Sequence, residues 1–153
     1  MLPNDLFQRS FDKTIGDLRG WLSARTTFAR VDEEAAPTFW RCALSPTIAG
    51  ACPVELILHR DQRFDITIGA ETYEGREIEN IGVFLPLLDA IAEGRVVTRQ
   101  AFSTRTGAAA GVETQVTLSH GALWTERRGA AAANGSAIET RDRYYVPYER
   151  ELG

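Results

Sequence analysis

Two histidines, two cysteines and a few close-set carboxylates are the residues from which this 153-residue chain could build an acid–base or metal site. His59 and Asp61 flank the end of an alternating run, and Asp65 follows across a polar turn. A histidine oriented by a carboxylate is the arrangement of a general base. Polar residues equally belong at a solvated hairpin tip, and that plainer reading is preferred because spacing alone carries no geometry. Glu71, Glu74, Glu77 and Glu79 form an acidic run with Tyr73 and Arg76. Such carboxylates can hold a hard cation, yet their spacing matches no calcium loop. Acids just ahead of a helix suit its positive end, so the structural reading wins.

Cys42, Cys52, His59 and His120 are the available sulfur and nitrogen ligands for zinc. Structural zinc shows close ligand pairs such as Cys-x2-Cys, and none occurs, so no metal is expected. Cys42, inside a strand pattern, reads as a small core residue. The small-residue stretches Gly107–Gly111 and Gly129–Ser136 match neither a P-loop nor a dinucleotide fingerprint. Ser103, Ser119 and Ser136 lack the strand–turn–helix context of an activated nucleophile. No catalytic residue and no cofactor are assigned.

A different chemistry is offered near the C-terminus. Trp124, Arg127 and Arg128, then Arg141, Arg143, Tyr144, Tyr145, Tyr148 and Arg150, interleave arginines with aromatics. Tyr, Trp and Arg dominate interface hot spots, and aromatics can also stack bases. Core packing ranks first for this set, a protein interface second and nucleic acid third. As a binding surface, the set is taken as Arg141, Arg143, Tyr144, Tyr145 and Tyr148.

The elements that position these groups follow from periodicity. Phe7, Phe11, Ile15, Leu18 and Leu22 recur at steps of three and four, a helical stripe widened by Leu6 and Trp21 and capped by Asn4 or Asp5. Val31 to Pro37 reads as an acidic connector. Strands are expected over Thr38–Leu44, around Val54, Leu56 and Leu58, and around Phe64, Ile66 and Ile68, the last pausing at Gly69 and resuming through Tyr73. Glu74-Gly75-Arg76 breaks the pattern. A second helix covers Ile81 to Ala92, either kinked at Pro86 or beginning near Leu85 with Pro86 in its first turn. Strands follow at Val96–Thr104, Val112–Leu118 and Leu123–Arg127. After the mobile, alanine-rich stretch Gly129–Ser136, Ile138 to Tyr148 returns as an edge strand ended by Pro147.

This order predicts an α+β two-layer sandwich: one mostly antiparallel sheet of about five to seven strands with two helices on one face, α-β-β-β-α-β-β-β. The length fits a single domain over 1–153. With 44% hydrophobic and 25% charged residues, the chain can fold without a staple. A net charge of −4 argues against a dedicated nucleic-acid or anionic-membrane binder. The excess acid lies in residues 1–94 (15 acids, 9 bases), whereas 95–153 hold 6 acids and 8 bases. One lysine against 16 arginines, with 20 alanines, reads as GC-rich bacterial coding. No signal-peptide core or bilayer-length apolar run is present, so a cytoplasmic location is expected.

The run helix, three strands, helix, two strands is similar to that of small acidic secretion-chaperone-like proteins, a likeness of topology with no shared motif. It implies a non-catalytic binding or adaptor protein, working on a protein partner or as a homodimer. The alternative is a small-ligand-binding or enzymatic domain with its pocket between sheet and helices.

Overall fold

The first apolar stripe forms α1, Asn4–Ser23, in the computed structural model, which describes residues 2–129 and 138–149. Phe7, Phe11, Ile15, Leu18 and Leu22 are buried along one side, and burial of each such side chain is worth about 1.5–3 kcal/mol. Leu6 lies outside the stripe at 52% exposure, and Thr14 closes the buried face in its place. The N-cap is Pro3 and makes no side-chain cap; its carbonyl accepts the first bond, from the Phe7 N–H at 3.0 Å. Asn4 is already helical, and its side chain instead takes a bond from Gln8 one turn on.

Five strands follow as an antiparallel meander: β1 (Ala29–Ala35), β2 (Phe39–Pro46), β3 (Val54–His59), β4 (Arg63–Ile68) and β5 (Glu71–Glu77). β1 occupies most of the segment expected to be an acidic connector. It is an edge strand, and Glu33 on its inward face is satisfied by the Trp40 indole N–H (2.8 Å) and by Arg19. An edge needs little apolar sequence when its inward polar group is paired. Gly69 and Ala70 make a turn, so the expected resumption through Tyr73 is a separate strand. The Glu74-Gly75-Arg76 break is a bulge inside β5, where the register shifts opposite Asp65 and Gly75 adopts φ +64.

A 3-10 turn, Ile81–Val83, capped by the Asn80 side chain, leads into α2, Phe84–Ala92. Pro86 is its third residue. First-turn N–H groups have no intrahelical partner, so the proline breaks nothing. Gly94 ends the helix at φ +79, the left-handed position after a C-cap.

The remaining strands, β6 (Val96–Ser103), β7 (Ala109–Thr117), β8 (Leu123–Arg128) and β9 (Ile138–Tyr144), form a second antiparallel sheet in the order β8-β7-β6-β9. The class is α+β as expected, but the strands divide between sheets of five and four rather than joining in one. The dividing line falls between β5 and β8, which touch without a ladder. There the Tyr73 hydroxyl meets that of Thr114 at 2.7 Å, both residues being fully buried. One core runs from α1 over the inward faces of β2, β3 and β4 to α2, Val96 and Val116.

After β9 the chain leaves the sheet and docks across the core. Val146 bonds Gly50, Tyr148 bonds the Ala92 carbonyl through its N–H, and its hydroxyl donates to the Cys52 carbonyl at 2.5 Å. The track is lined by glycine for lack of room: a Cβ on Gly94 would stand 2.9 Å from the Pro147 nitrogen and 3.0 Å from the Tyr145 oxygen.

Candidate functional site

The strand pairing β3–β4 does bring two of the candidate acid–base residues together. His59 Nε2 lies 2.8 Å from Asp65 Oδ2, and the other Asp65 oxygen accepts the Gly75 N–H at 2.6 Å. Both oxygens of Asp65 are thus engaged, one by the β5 bulge. Asp61 sits apart in the exposed turn. The cysteines offer no nucleophile beside this pair. Cys42 and Cys52 are reduced and buried on the opposite, core side of the sheet, and burial pushes both thiols up to about 12. Among the described residues no three His, Cys, Asp or Glu side chains gather where a metal ion could be held.

The acidic run begins as strand residues, Glu71 and Glu74 in β5, and Glu77 and Glu79 then stand just ahead of the 3-10 turn that leads into α2. Glu71 faces inward, 6% exposed, and binds Arg128 and the Gln100 amide. Glu77 and Glu79 border a cleft of about 400 Å³ between β5, the 3-10 turn and β8, together with Phe64, Phe84, Trp124, Arg76 and Glu126. In that cleft burial pushes the Glu126 carboxyl upward, only partly offset by Arg76 3.6 Å away. The Arg76 Nε is buried without a hydrogen bond. A second groove of about 640 Å³ lies where the C-terminal ends of α1 and α2 meet the segment 147–149. Its polar groups satisfy one another: Asp89 takes the Trp21 indole N–H at 3.0 Å and Arg25 at 3.2 Å.

The arginine–tyrosine set splits by burial. Tyr145 (8% exposed) and Tyr148 (2%) belong to the core, whereas Tyr144 is 71% exposed. Arg141 and Arg143 share the inward face of β9, stacked over the rings of Phe102 (5.1 Å) and Tyr145 (5.2 Å). Each is worth about 0.5–1 kcal/mol at such a half-open site and leaves the guanidinium edge free. Neither arginine, nor Glu139 on the same face, has an ion-pair partner among the described residues. Arg150 and the alanine-rich stretch 130–136 lie outside the described residues.

β9 itself is the feature that sequence reasoning could only sketch. It pairs with β6 in the register Val97 to Tyr144 through Ser103 to Ile138, and no described residue pairs with its other edge. All seven of its residues are exposed. On the outward face of the sheet the row Arg127, Glu113, Arg99, Asp142 crosses all four strands with alternating charge. Arg127 meets Glu113 at 2.8 Å, and Arg99 grips Asp142 through two bonds of 2.9 and 3.1 Å. The Arg99 guanidinium holds the Asp142 carboxyl below its usual range. β9 is held to the sheet by its backbone pairing with β6, and the Arg99–Asp142 pair adds one side-chain contact across that seam.

No protein-family model matches the chain, and comparison with curated proteins and with solved structures finds no significant match. No helix among the described residues is long and apolar enough to cross a membrane.

Proposed function

We propose that this chain is a non-catalytic protein-binding domain that engages its partner at the edge strand β9. One observation carries the reading: among the described residues β9 is an ion-paired but uncovered edge, exposed throughout, with Arg141 and Arg143 in no ion pair and with Tyr144 projecting. A free edge presents a row of backbone donors and acceptors that a second strand can complete, and the side chains supply selectivity. Tyr145 and Tyr148 act here from beneath, anchoring the end of the strand in the core.

The test places a photo-reactive amino acid at Tyr144 in the producing cell, with the exposed Lys13 as control position. Discrete adducts from position 144 and none from 13 are expected, and Arg143→Ala with Tyr144→Ala abolishes the association while lowering the melt by no more than about 4 °C, the loss of one cation–π contact. Equal labelling from both positions refutes the reading.

A second reading is favoured by the cleft at Arg76 and Glu126, where a desolvated carboxyl and an unbonded guanidinium N–H stand among Phe64, Phe84 and Trp124. Perturbed groups in an aromatic cleft are the usual mark of a small-ligand site. Native mass spectrometry of freshly purified protein then shows a retained ligand mass that Glu126→Gln removes; an unliganded mass in both counts against it.

A further inference from the structure

Resting on the proposal that β9 is the binding edge, we infer that its partner is β9 of a second copy of the chain, paired antiparallel about a two-fold axis through Arg141. The pairing would join two four-stranded sheets into one continuous sheet of eight.

The register follows from which side chains share a face. Glu139, Arg141 and Arg143 lie on the inward face, while Ile138, Thr140, Asp142 and Tyr144 lie on the outward one. A two-fold axis perpendicular to the sheet keeps each face on its own side. Opposed residues must therefore come from the same set, and a slip by one position would set the two faces against each other. Three centres oppose five or more of the seven residues. An axis at Asp142 opposes Asp142 to its own copy once and Arg141 to Arg143 twice, three like-charge contacts in one seam. An axis at Thr140 also opposes Glu139 to Arg141 twice, but it sets apolar Ile138 against the charged Asp142 twice and leaves Arg143 and Tyr144 beyond the paired span. An axis at Arg141 opposes Glu139 to Arg143 twice and Ile138 to Tyr144 twice.

Those four contacts add to what the residues already make, the stacking of Arg143 on Tyr145 and the Tyr144 hydroxyl bond to Asp142. Glu139 and Arg143 have no ion pair among the described residues, and Ile138 and Tyr144 are exposed apolar side chains at 37% and 71%. Opposite charges and apolar pairs directly across strands are each stabilising, whereas like charges are not. The one like pair, Arg141 with its copy, is relieved because each guanidinium lies over Phe102 of its own β6, turned away from the seam. Charged edges commonly prevent pairing; here the order acid, base, base along one face is complementary to its own reversal at both ends. A seven-residue seam is small, so the association is expected to be reversible and concentration-dependent.

Sedimentation of the full chain over a concentration series tests this. The parent is expected to move from monomer to dimer. Glu139→Arg and Arg143→Glu should each weaken the dimer by about tenfold or more, since two attractive contacts become repulsive, and the two changes combined should restore it. Arg141→Cys should cross-link to its own copy under mild oxidation, while Thr140→Cys and Asp142→Cys should not. All sites are on the exposed strand, and a cooperative melt within about 4 °C of the parent's for each variant confirms that the fold is intact. A parent that stays monomeric, a double variant as weak as the single ones, or a dimer in which Arg141→Cys fails to cross-link overturns the inference. A monomer that still gives discrete photo-adducts with another protein from position 144 sinks the second copy but leaves β9 as the binding edge.

Discussion

Removing one oxygen, with Tyr73→Phe, tests how the two sheets are held together. The Tyr73 and Thr114 hydroxyls meet at 2.7 Å across the line where β5 touches the second sheet without a ladder, and both residues are 0% exposed. Phenylalanine keeps the ring, its packing and the approach of the Arg76 and Arg128 guanidiniums, whose carbons stand 5.7 and 5.9 Å from the ring centre. What changes is that the Thr114 hydroxyl loses its partner where no water reaches it. Leaving a buried polar group unsatisfied costs about 1–3 kcal/mol, well above the net worth of the bond itself. For a chain of this length each kcal/mol lowers the melting temperature by about 2–4 °C. Thr114→Val should cost a similar amount for the mirror-image reason. The two changes together remove both polar atoms at nearly constant shape, so the double variant should be less destabilised than the sum by about 1 kcal/mol or more. Chemical denaturation of the four proteins completes the cycle. Strictly additive losses, or a Tyr73→Phe melt equal to the parent's, would refute the claim that this fully buried hydroxyl pair helps tie the two sheets together.

Phe11→Ala and Leu18→Ala, 1% and 0% exposed on α1, should each cost about 2–5 kcal/mol in denaturant titration; parent-like melts would mean the stripe is not core. Gly94→Ala combines a positive φ with a Cβ driven against the backbone of 145–147, so it should destabilise by about 2 kcal/mol and raise proteolysis of the C-terminal segment first; ordinary stability would show the track to be loose. At Glu33 burial raises the carboxyl, but the hydrogen bonds from Trp40 and Arg19 outweigh it and leave the folded pKa depressed. The unfolded state then takes up the proton first as pH falls, so this stabilisation is complete above the unfolded pKa and is lost as acid approaches the folded one; Glu33→Gln should flatten the stability–pH slope below about pH 4.5, and an unchanged slope would contradict the pairing. Cys42 and Cys52, with thiols pushed to about 12, should resist an alkylating reagent near neutral pH until the chain is unfolded, and prompt labelling of the native protein would show the core to be open.

Local sequence determined the elements whose periodicity is strong. Phe7 to Leu22 at helical spacing, the alternation through Val54–Leu58 and Phe64–Ile68, and Pro86 placed early in α2 are each decided by near neighbours, and the α+β class follows from their order. β1 escaped because an edge strand needs hydrogen bonds on one side only. Its polar sequence becomes a strand by pairing with β2, while Trp40 of that strand and Arg19 of α1 satisfy Glu33. Gly75 looked like a break and is a bulge, since only pairing with β4 tells an interruption from an inserted residue. The candidate site divided the same way. Arginines and tyrosines at 141–148 were visible as interface material, but which of them stay on the surface was set by distant backbone. Gly50, Cys52, Gly69, Ala92 and Gly94 open the track that draws Tyr145 and Tyr148 into the core and leaves Arg141, Arg143 and Tyr144 on an edge that no other described residue covers. Alternation assigns a residue to a face; only the tertiary contacts decide whether that face, or that edge, is covered.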